Sequence, residues 1–305
     1  MAADLAIQAR DLVRRFGSQL ALDNVTLDVS RGGVHAVIGR NGAGKSTLYR
    51  VLLGFLANNG GTSRVLGHDS AALPPAVRGR IGYVHESHPL PGWMAVGALA
   101  AMQRRLHPRW SEPTFREVAG LFRLPAERRV AQLSRGERAG LALALAVAPA
   151  PELLLLDEPT LGLDVVASRA FLESLLFAGE REVGTIVYSS HRLAEVERLA
   201  DRLIVLDRGA VVAVAAPDEL RARIAGWSIG GWPAERSLAA IPGLLAKRRI
   251  DDDLHVVVLD PGEGFRGHLE ALGARGVAPV PLSFEQAMDA FLSAGGRAGE
   301  AGRAA

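Results

Sequence analysis

The chain has 305 residues, a formal net charge of +2 and no cysteine. This length allows one large domain and a small one, and the lack of cysteine excludes a disulfide framework and a thiolate metal site. The small net charge gives no reason to expect nucleic acid as a partner, and no basic segment followed by an apolar core marks a secretory signal at the N-terminus.

The first predicted elements surround a glycine-rich loop. Residues 25–29 alternate between apolar and polar side chains, which predicts a half-buried strand. Residues 34–38 predict a buried strand, and residues 47–55 have apolar side chains at helical spacing. Residues 39–46 between them match the pattern G-x-x-x-x-G-K-[ST] at every fixed position. The strand–loop–helix context predicts a phosphate-binding loop rather than a turn without a ligand.

The residue types of this loop explain how it would bind phosphate. Its glycines let backbone N–H groups turn inward, and the helix that starts near Gly44 adds partial positive charge. Lys45 can reach the terminal phosphates, and the Ser46 hydroxyl can bind Mg²⁺. The predicted nucleotide contacts are Gly39, Asn41, Gly42, Ala43, Gly44, Lys45, Ser46 and Thr47.

A helical block follows short predicted strands at residues 64–66 and 81–84. Helical spacing recurs over residues 99–106, 111–122 and 135–148, with Ser111 as an N-cap. This block, residues 87–150, interrupts an alternating α/β pattern and predicts an inserted helical subdomain. The pattern then resumes with a strand at 153–156, a helix at 165–177, a strand at 185–188, a helix at 193–199 and a hairpin over 203–214.

A domain boundary is predicted between residues 225 and 226. Strands at 255–259 and 277–280 and helices at 265–272 and 284–292 predict a small accessory α/β domain over residues 226–292. Ser283 and Gln286 form a capping-box pattern before the last helix. Residues 293–305 consist mainly of Gly, Ala and Arg, and we expect them to be disordered.

Two carboxylates follow the apolar strand at residues 153–156. Asp157 can hold Mg²⁺ opposite Ser46, and Glu158 can deprotonate the attacking water. Because ligands bind at the carboxyl ends of strands in open α/β sheets, we expect this pair to face the phosphate loop. The alternative is an acidic turn after a core strand.

With these motifs in this order, residues 5–225 resemble the ATP-binding subunits of ABC transporters. Residues 133–138 resemble the family's signature sequence, residues 157–164 its extended Walker B motif and D-loop, and His191 its switch histidine. The resemblance implies a P-loop NTPase (ABC ATPase) fold of the α/β class, with an inserted helical subdomain and a small C-terminal α/β extension. It also implies ATP and Mg²⁺ as cofactors.

The resemblance further implies an ATP site shared by two subunits. His191 would contact the γ-phosphate and position the attacking water, while the signature would contact the γ-phosphate bound by the other subunit. The implied nucleotide contacts outside the phosphate loop are Phe16, which would stack on adenine, and Ser134, Gly136, Glu137 and Asp164.

Three residues depart from the family pattern. Arg135 replaces a glycine of the signature and Glu137 its glutamine, and Ser134-x-x-Glu137 is also a capping box, so Glu137 is a local cap, a nucleotide contact or both. Glu86 stands where the family has a glutamine. Our hypothesis is that Glu86 binds Mg²⁺ and couples this catalytic site to a membrane partner; the alternative is a solvated loop carboxylate.

We predict an ATPase subunit that dimerises around ATP, with a second copy or a related ATPase subunit, and drives an integral membrane permease. It would be cytoplasmic and peripheral on the inner face of the cell membrane, and the departures favour an export-type subgroup. Trp93 and Met94 would anchor the permease; the alternative is that Trp93 packs inside the helical subdomain. The alternative functions are a soluble ABC-type ATPase in translation or DNA repair and a P-loop kinase or GTPase.

Overall fold

The computed structural model describes residues 4–181, 183–233 and 236–295; the predicted disordered tail lies outside the described residues from position 296 onward. The strands are β1 (Leu5–Phe16), β2 (Gln19–Ser30), β3 (Val34–Ile38), β4 (Gly60–Val65), β5 (His68–Asp69), β6 (Ile81–Val84), β7 (Leu153–Leu156), β8 (Thr185–Ser189), β9 (Arg202–Asp207), β10 (Ala210–Ala215), β11 (Ile224–Gly230), β12 (Leu244–Ile250), β13 (Asp253–Leu259) and β14 (Gly276–Val280). The α-helices are α1 (Lys45–Leu52), α2 (Pro75–Arg78), α3 (Val96–Leu106), α4 (Glu112–Leu121), α5 (Arg135–Val147), α6 (Val165–Arg181), α7 (Leu193–Leu199), α8 (Pro217–Ala222), α9 (Phe265–Ala271) and α10 (Phe284–Ser293).

A six-stranded sheet in the order β10-β9-β3-β8-β7-β6 forms the centre of the molecule. All its neighbouring strands are parallel except the edge pair β10 and β9. Both faces are covered, so β7 is apolar and buried at every position. Leu154 and Leu156 pack with α5, α6 and α7, whereas Leu153 and Leu155 pack with α1 and the second sheet.

The second sheet has the order β2-β1-β4-β5 and is antiparallel. The sequence did not predict β1, because its register shifts between Ala9 and Leu12 and Asp11 has a φ of 47°. A bulge of this kind breaks the two-residue alternation by which a half-buried strand is recognised.

The helical block agrees with the sequence prediction. Ser111 caps α4, with its Oγ accepting a hydrogen bond from the backbone N of Thr114, and α5 ends one residue before the predicted limit. The helix α1 begins at Lys45 with Gly44 as its N-cap, which confirms the expected start near Gly44, but it ends at Leu52 and not at the predicted residue 55. It ends early because Gly54 has a φ of +69°, a conformation that a helix does not continue.

The C-terminal region forms a third, antiparallel sheet in the order β12-β13-β11-β14. The predicted boundary at residues 225 and 226 falls inside β11. Apolar residues of α9 pack on one face of this sheet. In contrast, Phe284, Met288 and Phe291 of α10 belong to the main core, together with Val196 of α7. The last helix therefore joins the C-terminal region to the central core.

Candidate functional site

Four loops meet at the carboxyl edge of the central sheet. The phosphate-loop segment follows β3, Asp157 and Glu158 follow β7, His191 follows β8, and Glu86 follows β6. Since β3 pairs with β8 and β8 pairs with β7 in parallel, these ends lie side by side. This edge is where an open α/β sheet binds its ligand.

Two glycines allow the loop after β3 to approach its neighbours. A Cβ at Gly39 would lie 2.3 Å from the carbonyl oxygen of Leu206, and a Cβ at Gly44 would lie 2.5 Å from that of Ala21. Gly44 also has a φ of +107° and is the N-cap of α1. Only glycine combines this close approach with this backbone conformation.

The hairpin turn between β9 and β10 is hydrogen-bonded to the loop after β3. The backbone N of Gly209 donates to the carbonyl oxygen of Ala43 at 2.9 Å, and the carbonyl oxygen of Gly209 accepts from the backbone N of Asp23 at 2.8 Å. Gly209 therefore connects the loop after β3 with β2 of the second sheet. β2 begins at Gln19, after the turn that follows Phe16.

Lys45, Glu158 and His191 form a continuous chain of contacts. Lys45 Nζ donates to the carbonyl oxygen of Gly39 at 2.8 Å and lies 3.2 Å from Oε1 of Glu158. Oε2 of Glu158 lies 2.7 Å from Nδ1 of His191. Lys45 and Glu158 are buried, whereas His191 is exposed. The ammonium and the carboxylate are therefore shielded from water, and the imidazole is accessible to it.

Asp157 lies deeper, beneath Ser46. Its Oδ1 accepts hydrogen bonds from the hydroxyls of Ser46 and Ser189, each at 3.0 Å. Its Oδ2 is buried, and no group in the described part of the chain donates to it. An orphaned buried carboxylate oxygen beside a hydroxyl is a suitable donor set for a hard cation such as Mg²⁺.

Two tyrosines border this carboxylate. Burial, with the negative charges of Asp157 and Glu158, raises the pKa of Tyr49 well above its usual range. Burial and the charge of Asp157 also raise the pKa of Tyr83. Both phenols are therefore neutral, and they add no charge that would compete with Asp157.

The cavity above these residues has a volume of about 540 Å³. It brings together many of the predicted site residues: Phe16, Asn41, Gly42, Ala43, Gly44, Lys45, Ser46, Thr47, Glu86, Glu158 and His191. Phe16 is 44% exposed, and the guanidinium of Arg14 lies 4.5 Å from the centroid of its ring. A nucleotide base could stack on this ring.

The signature residues Ser134, Gly136 and Glu137, and also Asp164, are not among the described residues that line this cavity. Ser134 and Glu137 form the predicted capping box: Oε2 of Glu137 accepts from the backbone N of Ser134 at 2.7 Å, and Ser134 Oγ accepts from the backbone N of Glu137 at 3.2 Å. Asp164 caps α6 through the backbone N of Ala167 at 2.8 Å.

Arg135 contacts the segment before α6. Its Nη2 donates to the carbonyl oxygen of Leu161 at 2.5 Å, and a Cβ at Gly162 would lie 2.5 Å from its guanidinium carbon. Gly136 is equally close to α6, because a Cβ there would lie 2.7 Å from Cβ of Ala167. The start of α5 is thus fixed against the start of α6.

A separate apolar groove of about 560 Å³ lies on the other side of the loop after β6. Phe55, Tyr83, His88, Leu90 and Leu145 are among its lining residues. Trp93 and Met94 do not line it within the described chain. Trp93 is 77% exposed, which rules out the alternative that it packs inside the helical subdomain, whereas Met94 packs against the core.

Sequence reasoning missed three functional contacts. Ser189 holds both Asp157, through its hydroxyl, and the backbone N of Glu158; its position at the end of β8 was the available signal. No motif marks His88, which is 2% exposed and whose Nε2 lies 3.1 Å from the carbonyl oxygen of Pro159. The third contact, between Lys45 and Glu158, joins residues far apart in the sequence.

No cluster of three or more His, Cys, Asp or Glu side chains within the described ranges could hold a metal ion. Asp157 and Ser46 can therefore supply only part of a Mg²⁺ shell, the usual situation when substrate phosphates supply the rest. None of the described helices is both long and apolar enough to span a bilayer.

Comparisons with known proteins give a consistent result. The family described as "ABC transporter" matches residues 22–161. The chain is 35% identical to daunorubicin resistance ATP-binding protein DrrA3 of Streptomyces coeruleorubidus, over 90% of each chain. It is 34% identical to Nod factor export ATP-binding protein I of Sinorhizobium fredii, over 81% of this chain and 74% of the relative.

Similar proteins also include one named for import and one of known structure. Sulfate/thiosulfate import ATP-binding protein CysA of Rhodopseudomonas palustris is 32% identical, over 85% of this chain and 77% of its own length. A solved ATP-binding subunit of an ABC transporter superposes with a TM-score of 0.64 and 29% identity, covering 71% of this chain and 92% of that structure.

Proposed function

Because the chain belongs to the ABC transporter family of ATP-binding subunits, we propose that it powers export through a separate membrane permease, and that two copies close around ATP to do so. The family supports ATP binding and hydrolysis. The direction of transport, the permease and the pairing of subunits are our proposals.

The observation that carries the proposal is the contact chain from Lys45 through Glu158 to His191. Lys45, with the loop amides, would bind the phosphates of ATP, and Phe16 would stack on adenine. Lys45 Nζ would then turn to the phosphates, which leaves Oε1 of Glu158 available to a water molecule. His191, at 2.7 Å from Oε2, would hold the carboxylate in place.

Hydrolysis then needs one proton transfer and one displacement. The water oxygen bonds to the γ-phosphorus while its proton passes to Glu158. The bond from the γ-phosphorus to the oxygen that bridges it to the β-phosphate breaks, which releases ADP and phosphate. Lys45 and the positive end of α1 stabilise the charge that builds on the phosphate oxygens.

Asp157 and Ser46 are the residues that would hold Mg²⁺, with Glu86 at the rim of the same cavity. The ion would neutralise charge on the terminal phosphates. The orphaned Oδ2 of Asp157 supports this assignment.

The start of α5 supports the proposed pairing of two subunits. The first N–H groups of an α-helix have no partner within the helix and carry partial positive charge; here that of Glu137 donates to Ser134 Oγ. Ser134 and Gly136 are not among the described residues that line the cavity beside the phosphate loop. Val165 and Val166 beside it are 75% and 79% exposed. We propose that Ser134, Gly136, Glu137 and Asp164 complete the ATP site of a second copy or of a related ATPase subunit.

We propose that the permease binds in the apolar groove on the cytoplasmic side of the membrane. The exposed Trp93 lies in the loop that follows the groove residue Leu90, and a large exposed ring is a common anchor at protein interfaces. Export is supported by the name of the Nod factor relative, whereas the import protein among the relatives counts against it.

The competing function is a soluble ABC-type ATPase. An adjacent reading frame that encodes several spans of about 20 apolar residues would favour transport.

We expect Glu158→Gln to lower kcat by at least about 100-fold while ATP still binds, because the amide cannot accept the proton. With ATP, this variant should accumulate as a dimer in light-scattering measurements. Glu197→Gln, the same change at an exposed position of α7, is the control and should match the wild type. A variant that stays monomeric with ATP, alone and with the permease present, would contradict the pairing.

Glu86→Gln tests the proposed Mg²⁺ contact. Since a carboxylate binds Mg²⁺ more strongly than an amide, we expect the variant to need more Mg²⁺ for half-maximal ATPase activity. The measurement is ATPase rate against Mg²⁺ concentration at saturating ATP. An unchanged curve would mean that Glu86 is a solvated loop carboxylate.

A further inference from the structure

His88, in the loop that follows β6, is 2% exposed. Its Nε2 lies 3.1 Å from the carbonyl oxygen of Pro159, the residue directly after Glu158. A carbonyl oxygen only accepts hydrogen bonds, so Nε2 carries the proton and donates. The imidazole therefore donates a hydrogen bond to the backbone of the segment that carries the proposed general base.

The chemical state of His88 suits a permanent donor. Nε2 donates in either protonation state, because a charged imidazole carries protons on both ring nitrogens. A neutral imidazole has a single N–H group, and His88 uses it on Pro159.

Glu158 needs this kind of support. Its φ is 47°, a conformation that non-glycine residues adopt rarely and that costs energy unless neighbouring contacts hold it. On one side, the backbone N of Glu158 donates to Ser189 Oγ at 2.9 Å. On the other side, the carbonyl of Pro159 accepts from His88.

We propose that His88 is a positioning residue for Glu158: its hydrogen bond to Pro159 holds Glu158 in the backbone conformation from which the carboxylate reaches Lys45 and His191. This inference rests on the proposed role of Glu158 as general base. His88 also lines the apolar groove, which shares no described lining residue with the ATP cavity. The imidazole thus contacts the groove and the catalytic segment at once.

Two substitutions separate the hydrogen bond from packing. His88→Leu removes the donor at similar volume, whereas His88→Gln keeps an amide N–H that can reach Pro159. Neither side chain is branched at Cβ, so both variants bear similar strain at the φ of 46° of this residue. The free energy of unfolding is measured for each, so that any loss of folded protein is corrected.

We expect His88→Leu to lower kcat about tenfold, because a small displacement of the base is costly, with the Kd for ATP unchanged. His88→Gln should restore kcat to within about threefold of the wild type. Wild-type kcat in His88→Leu, or equal impairment of both variants, would overturn the inference.

A double variant tests whether His88 acts through Glu158. In the Glu158→Gln background, His88→Leu should cause no further loss of the residual rate, since residues that act as one unit are not additive. A further tenfold loss would overturn the inference. Full turnover by Glu158→Gln alone would instead refute the proposed function, so the two failures are distinguishable.

Discussion

Arg135 and Gly162 depend on each other. The guanidinium of Arg135 occupies the space where a Cβ of residue 162 would lie, and Gly162 has a φ of +70°. Any other residue at 162 would be strained, and it would also displace Arg135 from the carbonyl of Leu161. The arginine that departs from the family signature is thus accommodated by a glycine on another loop.

We expect Gly162→Ala to lower the free energy of unfolding by about 2 kcal/mol, from backbone strain plus the loss of the Arg135 hydrogen bond. Gly67→Ala is the matched control, because Gly67 has a φ of +81° and open space around it; it should cost about 1 kcal/mol. In the Arg135→Ala background, Gly162→Ala should cost no more than the control. Simple additivity in this cycle, measured by urea denaturation, would contradict the dependence.

At the residue scale, the sequence was informative wherever one motif carries its own geometry. Lys45 and Ser46 follow directly from the phosphate-loop pattern, and the Ser134–Glu137 box is a local contact. The contacts of His88 with Pro159 and of Ser189 with Asp157 join residues far apart in the sequence. No local periodicity encodes such pairs, because they depend on which strands become neighbours.

Strands of the central sheet are joined at their amino ends by an ion-pair cluster around Glu152. Its carboxylate pairs with Arg31 at 2.9 Å, Arg80 at 2.5 Å and Arg109 at 3.3 Å. These arginines come from the turn before β3, the residue before β6 and the segment before α4. The hydrogen bonds from Arg80, with those from Arg31, lower the pKa of Glu152 to about 2.

We expect Glu152→Gln to lower the free energy of unfolding at neutral pH by about 2 kcal/mol, since the arginines are partly exposed and screened. A carboxylate whose pKa is lowered by folding stabilises above its unfolded value. The difference between wild type and variant should therefore be complete above pH 4.5 and shrink as the pH falls towards about 2. Urea denaturation across this range measures it.

Glu173→Gln is the control for this cluster. Within the described part of the chain, Glu173 pairs with Arg169 alone, one turn away on α6, and both side chains are more than half exposed. Such an exposed pair is screened by solvent and contributes much less than a partly buried cluster. A loss as large as that of Glu152→Gln, or a Glu152 difference that persists unchanged at low pH, would contradict the assignment.

Elements were predictable where periodicity was regular. The strands β3, β6 and β7 have the predicted limits, because buried parallel strands are short apolar runs. The strands β11 and β12 were not predicted: β11 contains two glycines and β12 contains Lys247, Arg248 and Arg249. Pairing with β13 between them stabilises both strands despite these unfavourable residues.

At the scale of the whole molecule, α10 joins the C-terminal region to the central core. Phe284, Met288 and Phe291 are almost completely buried and share a core with α7 and α8. The third sheet has its own cluster around Phe265 and Leu269. The proposed accessory domain over residues 226–292 therefore contributes one helix to the core of the ATPase.

We expect Phe291→Ala to lower the free energy of unfolding by about 3–5 kcal/mol. In denaturation curves, the midpoint for loss of nucleotide binding should fall together with the midpoint for loss of helical signal. Phe265→Ala removes a similar side chain from the third cluster and serves as the comparison. If nucleotide binding keeps its wild-type midpoint in Phe291→Ala while part of the helical signal is lost earlier, the C-terminal region unfolds independently.

The tip of the hairpin between β9 and β10 has a practical consequence for engineering. Arg208 is exposed there, and exposed hairpin tips are normally chosen as permissive positions for a peptide tag or a fluorophore. Here the adjoining Gly209 holds both Ala43 and Asp23. A label inserted at this turn would disturb the loop that is proposed to bind the nucleotide. The position is therefore unsuitable for a purification tag, but a fluorophore there would be sensitive to conformational changes in that loop.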